Sequence, residues 1–141
     1  FRGCERSMTP HTKASERGTG AAVRLVLPMP PSVNSAYANG GNKRGRHKTP
    51  AYVAWERLAG TCVNDSHRAG LGPYSLAICL RRPDKRGRDL GNYEKVISDL
   101  LVAHGVVKDD QHCERLTMQW DSGLEADCVV LVQPFEGRVA A

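Results

Sequence analysis

The chain predicts a single small α/β domain of the α+β kind, a mixed β-sheet with two main helices. Short apolar runs of strand length alternate with two stretches whose apolar residues recur at three and four positions. Gly, Pro and Asn clusters separate these stretches. The order therefore reads strand, helix, strand, helix, strand, strand, with no internal repeat and no linker. At 141 residues the chain has the length of one domain. A domain of that size buries roughly 70% of the surface its unfolded chain exposes, enough for a core without staples.

Residues 1–20 are polar and without periodicity, so a disordered arm is expected there, followed by a domain over 21–136 and a short tail over 137–141. The run AVRLVL at 22–27 is a short strand signal, ended by Pro28, Pro30 and Pro31, which cannot donate to a ladder. A long Gly/Asn-rich basic loop follows over 32–49, carrying Lys43, Arg44, Arg46, His47 and Lys48. Loops of that length within a domain are usually functional or mobile. Thr49 is a plausible N-cap and Pro50 suits the first turn of a helix. Tyr52, Val53, Trp55, Leu58, Ala59, Cys62 and Val63 then keep helical spacing, predicting a helix to about Arg68, closed by Gly70 and Gly72.

The run YSLAICL at 74–80 is a buried-strand candidate that leads into a basic loop, RRPDKRGR at 81–88, with five positive charges in eight residues. After Asp89, the residues Tyr93, Val96, Ile97, Leu100 and Leu101 predict a second helix with Gly105 as its stop. Asp89 or Asn92 would cap it. Two last strands are expected over 115–121 and 127–133, joined in hairpin fashion with Gly123 in the turn.

The formal net charge of +5 and a pI near 9.1 favour polyanionic partners, nucleic acid ahead of an anionic membrane surface. No run approaches the roughly eighteen apolar residues of a spanning helix, and the start lacks a signal-peptide core, so a soluble, cytoplasmic protein is expected. Five cysteines, Cys4, Cys62, Cys79, Cys113 and Cys128, form no C-x-x-C pair. Neither a disulfide framework nor a zinc knuckle is suggested, and buried reduced thiols are expected.

Asp89, where the basic loop meets the second helix, and Asp109 with Asp110, just beyond that helix, are the candidate ligands for a divalent metal. The intervening helix, about fifteen residues long, would span roughly 20 Å, so the acids meet only if the chain turns back along it. Two carboxylates about 4 Å apart repel by about 4 kcal/mol at an effective dielectric near 20, and a cation removes that repulsion. Magnesium suits such a site, since it takes hard oxygen ligands, often only one or two carboxylates, and manganese is an alternative. Phosphodiester hydrolysis is the natural reaction class. The plainer reading is that Asp89 caps a helix and that Asp109 and Asp110 are turn residues. Lys95 could offset charge on a phosphate; equally, it could form a surface ion pair with Asp99 at i+4. The basic loops supply Lys43, Arg44, Arg46, Lys48, Lys85, Arg86 and Arg88 as phosphate contacts, or are simply solvated.

Three segments carry a resemblance: LPMPPSVN over 27–34, RDLGNYEK over 88–95 with Asp99 and Leu100, and KDDQ over 108–111. In that order and spacing they resemble the successive motifs of the RusA family of Holliday-junction resolvases, over roughly residues 23–135. The resemblance implies a RusA-like fold and a homodimer that binds branched DNA and cuts four-way junctions symmetrically with magnesium, often in phage or prophage recombination. It implies Asp89 and Asp110 as metal-binding acids, with Asp109 placed to assist, Lys95 as the catalytic lysine, and Asn34 and Asn92 facing DNA. One departure stands out. Where the family pattern has a second aspartate two residues after the first, this chain has Gly91, which offers no side-chain oxygen. Asp109, Asp84 or water would have to fill that position, or the protein is a weakened or inactive relative that binds branched DNA without cutting it.

Overall fold

In a computed structural model of the chain, the described residues are 22–39 and 45–136. The arm expected over 1–20, the tail over 137–141, and Lys43 and Arg44 lie outside them.

Strand β1 (Val23–Leu27) alternates buried and exposed positions, as a half-buried strand should. After the prolines, Ser32 caps a single helical turn, α1 (Val33–Ala36), by accepting from the Ser35 backbone N–H at 3.2 Å. The stretch expected to be a long basic loop contains regular elements. Strands β2 (Tyr37–Asn39) and β3 (Arg46–Lys48) pair antiparallel as a small ribbon of their own. Thr49 caps helix α2 (Pro50–Gly60) as its position predicts, its Oγ1 accepting from the Tyr52 N–H and donating to the Ser35 carbonyl at 2.8 Å. That second bond ties α2 to α1. Helix α2 ends eight residues earlier than expected, at Gly60 rather than Arg68. Asn64 instead starts a separate 3-10 turn (Asp65–His67), closed by reciprocal bonds with Ser66 and His67. Such side chains compete with helix continuation by bonding the local backbone.

Strand β4 (Tyr74–Leu80), a 3-10 turn (Leu90–Tyr93), helix α3 (Glu94–Ala103), another 3-10 turn (Asp110–His112), and strands β5 (Cys113–Trp120) and β6 (Cys128–Pro134) complete the order. Gly105, at φ +74°, ends α3 as anticipated. The sheet order is β1-β6-β4-β5, with β4 and β5 parallel and the other pairs antiparallel. This corrects the expected hairpin, because β5 and β6 do not pair and β4 lies between them. The connection crosses the end of β4: the Asp121 N–H donates to the Leu80 carbonyl at 2.8 Å, and the Arg81 N–H to the Asp127 carbonyl at 2.9 Å. The cause is apolarity. Strand β6 is buried at its first five positions and suits a central place, whereas β5 is largely exposed and suits an edge.

Helices α2 and α3 contribute Tyr52, Trp55, Val96, Ile97, Leu100 and Leu101 to the main core, against Leu25, Leu76, Ile78 and Val130 of the sheet. The opposite face carries a smaller cluster of Cys79, Leu124, Val129 and Leu131. Trp55 Nε1 donates to the Pro28 carbonyl at 3.0 Å, fastening the proline segment to α2. Cys62, Cys113 and Cys128 are free thiols. Among the described residues, no helix is long and apolar enough to cross a membrane.

Candidate functional site

Strand β4 delivers the basic loop to one end of the sheet, and most of that loop's charge is already engaged. Arg81 pairs with Asp127 at 2.7 Å, and Arg82 lies over the Trp120 ring at 4.5 Å. Asp84 accepts from Arg88 at 2.6 Å and lies 3.4 Å from Arg86. The Arg88 hydrogen bond, with help from Arg86, holds the Asp84 carboxyl down at about 2. Arg88 also reaches the Tyr93 hydroxyl at 3.4 Å, and the Tyr93 ring meets Trp120 edge-on at 5.8 Å. Two of the expected phosphate contacts, Arg86 and Arg88, are thus tied to an internal carboxylate. Asp84 in turn is poorly free to replace the oxygen missing at Gly91. Lys85 is exposed and has no hydrogen bond or ion pair among the described residues.

Asp89 precedes the 3-10 turn that feeds α3. Its side chain makes no cap bond, so the capping alternative is not the one realised; only its carbonyl is used, accepting from the Asn92 N–H at 3.1 Å. Asp89 is exposed, Asn92 is half-buried, and Asn34 is exposed on α1, which packs against this turn and α3. An added Cβ at Gly91 would meet nothing within 4 Å.

The chain does turn back along α3. Beyond Gly105 the Val106 N–H returns to the Leu101 carbonyl at 2.9 Å, Val107 bridges Leu71, and the Lys108 N–H donates to the Leu71 carbonyl at 2.9 Å. This brings Asp110 back beside α3, where its Oδ2 lies 4.0 Å from Lys95 Nζ. The same ammonium donates to Asp99 Oδ1 at 3.1 Å. The Asp99 hydrogen bond, then its charge and that of Asp110, push the Lys95 pKa up. The i+4 pair expected between Lys95 and Asp99 is formed, and the same ammonium also approaches Asp110. Asp109 acts in the turn: its Oδ1 accepts from the Gln111 N–H at 3.1 Å, the main reason its pKa is lowered.

Asp109, Asp110 and Asp99 line a cavity of about 370 Å³ together with Tyr37, Tyr52, Lys48 and Glu56. Lys48 is held at 2.9 Å by Glu56, and Arg46 lies over the Tyr37 ring. The contributions of Tyr37, Tyr52 and Glu56 were not legible as site residues, although Tyr52 and Glu56 share one helix face by their spacing of four. The cavity wall therefore carries four carboxylates against one ammonium. Among the described residues, no three His, Cys, Asp or Glu side chains are grouped to hold a metal. The acids fit magnesium only in its sparser mode, with one or two carboxylates and the remaining positions left to water and phosphate oxygens. Of the acids singled out by the sequence, Asp89 makes no side-chain cap bond and Asp110 meets Lys95 at 4.0 Å, whereas Asp109 accepts from the Gln111 N–H. Compared with known protein families and with curated proteins, the chain finds no match.

Proposed function

We propose that the protein is a magnesium-dependent endodeoxyribonuclease of the RusA type, which binds four-way DNA junctions as a homodimer and hydrolyses a phosphodiester at each of two symmetry-related sites. One observation carries this reading: the chain turns back beside α3 and sets Asp110 Oδ2 4.0 Å from Lys95 Nζ. It brings side chains of two of the three motif segments together on the helix that Asp89 and its 3-10 turn lead into. A wall of four carboxylates repels a polyanion unless a cation enters, which supports cation dependence.

In this reading Asp89 and Asp110 hold magnesium, or manganese, which supplies Lewis acidity toward the phosphoryl oxygens. Lys95, oriented by Asp99, offsets negative charge developing on the phosphate. Arg46, Lys48 and Lys85 track the backbone and add sequence-independent affinity. Two incisions related by a two-fold axis require two sites so related, hence the homodimer.

A second reading, a branched-DNA-binding protein without catalysis, is favoured by Gly91 and by the lack of a three-acid group among the described residues. A labelled synthetic four-way junction separates the two. Paired cuts in magnesium or manganese and none in EDTA support the nuclease. Binding with no cutting in either cation leaves the binding protein, and no binding at all removes both.

A further inference from the structure

Tyr37 is a feature of the cavity that the carboxylates do not account for. It opens β2, is half-buried, and shares the cavity wall with Asp109 and Asp110. Its ring is braced from two directions. Tyr52, itself buried, meets it nearly edge-on, with centroids 5.4 Å apart and planes at 73°. The Arg46 guanidinium, from the facing strand of the ribbon, lies 4.7 Å from the ring centroid. Lys48, directly opposite Tyr37 in the ribbon, reaches over Tyr52 at 5.3 Å. A ring already fixed in this way loses little freedom when a flat ligand stacks on it. The cavity's volume lies within the range of sites that receive small ligands or single groups of larger ones. An aromatic wall, the Lys48 ammonium, the Arg46 guanidinium against the Tyr37 ring and a carboxylate floor match, in turn, a base, its adjoining phosphates and the cation those phosphates bring.

We propose that Tyr37 is a stacking platform for an unpaired nucleobase of the bound DNA, with Arg46 and Lys48 beside the neighbouring phosphates. The inference rests on the nucleic-acid reading above and adds how the site tells branched from linear DNA. Every base has a π-face, so stacking tolerates any sequence. Unpaired bases, however, are cheap to present only where the duplex stack is already interrupted. A fully paired duplex offers Tyr37 no free face.

The test places 2-aminopurine, and separately an abasic site, at each position flanking the branch point of a four-way junction. Binding is followed by fluorescence in calcium. Bound wild-type protein is expected to change the 2-aminopurine signal at one of these positions, and the abasic site there to weaken binding about tenfold, the scale of one lost base stack. Tyr37→Phe should keep both effects. Tyr37→Leu, which retains apolar bulk without a π-face, should lose both while its melting temperature and the salt dependence of binding stay near wild type. Equal affinity of the wild type for base and abasic junctions at every position overturns the platform while leaving the nuclease reading intact, and this comparison decides alone should Tyr37→Leu fail to fold. Absence of any DNA binding by the wild type removes both readings together.

Discussion

Lys95 Nζ stands between two carboxylates from different parts of the chain, 3.1 Å from Asp99 Oδ1 on its own helix and 4.0 Å from Asp110 Oδ2 across the turn that ends the return segment. The shorter contact is an ordinary surface pair at i+4, and the longer one exists only because the chain doubles back. What each contributes separates a structural lysine from a functional one.

Lys95→Met should change stability to unfolding by urea by no more than about 0.5 kcal/mol, since the side chain is more than half exposed and such pairs are worth little. Junction cleavage should fall by about 100-fold or more, the scale lost with one preorganised charge. Cleavage within a few-fold of wild type would leave Lys95 as the surface pair alone.

Asp89→Asn and Asp110→Asn each remove a carboxylate charge while keeping side-chain shape. Each should reduce cutting by at least about 100-fold and leave junction binding unchanged or tighter, because negative charge facing the backbone is lost. A gel-shift titration beside a cleavage time course checks both. Full cutting by either variant would reject that residue's assignment.

Gly91→Asp is sterically permitted, because a Cβ there meets nothing within 4 Å and the glycine φ is not in the left-handed range. Its fold and melting temperature should match wild type. If the site lacks one oxygen, the variant should cut faster or saturate at lower magnesium concentration. Unchanged or lower activity points to a different set of ligands.

Asp84 titrates at about 2 because Arg88 and Arg86 favour its charged form, below the ordinary 3.8 of a carboxyl. A depressed folded value means the pair's stabilising contribution is complete above about pH 4 and disappears as pH falls toward about 2. Carboxyl chemical shifts followed by NMR should show that low midpoint, and Arg88→Ala should return it toward the ordinary range. Asp84→Asn at neutral pH releases two arginines toward DNA. Binding should tighten, and the slope of log affinity against log salt should steepen by about one for every additional phosphate neutralised. Weaker binding would mean that Asp84 holds the arginines in their DNA-facing positions.

Signals acting within one or two turns of the chain were legible. Thr49 with Pro50 announces α2, and the periodic residues from Tyr93 to Leu101 announce α3 and its stop at Gly105. The short Asn64 turn broke the first helix early because a side chain competing for the local backbone is a weaker mark than a glycine. In the candidate site, Asp89, Lys95 and Asp110 could be picked out by residue type and position, but nothing in their spacing says whether the chain returns along α3. The run of positive charge at 81–88 announced a basic loop; that Asp84 binds two of its arginines required coordinates.

By itself, then, the amino-acid order determined the order of the four long strands and two main helices, the Thr49 cap and the α+β class, since periodicity and capping act between neighbours a few residues apart. Tertiary structure decided that β4 separates β5 from β6, that Asp110 meets Lys95, and that Arg81 pairs with Asp127, 46 positions away. Those outcomes depend on which apolar faces are buried together and on which charges are carried into contact when they are. Such contacts are made across space, between residues whose separation along the chain carries no trace of them.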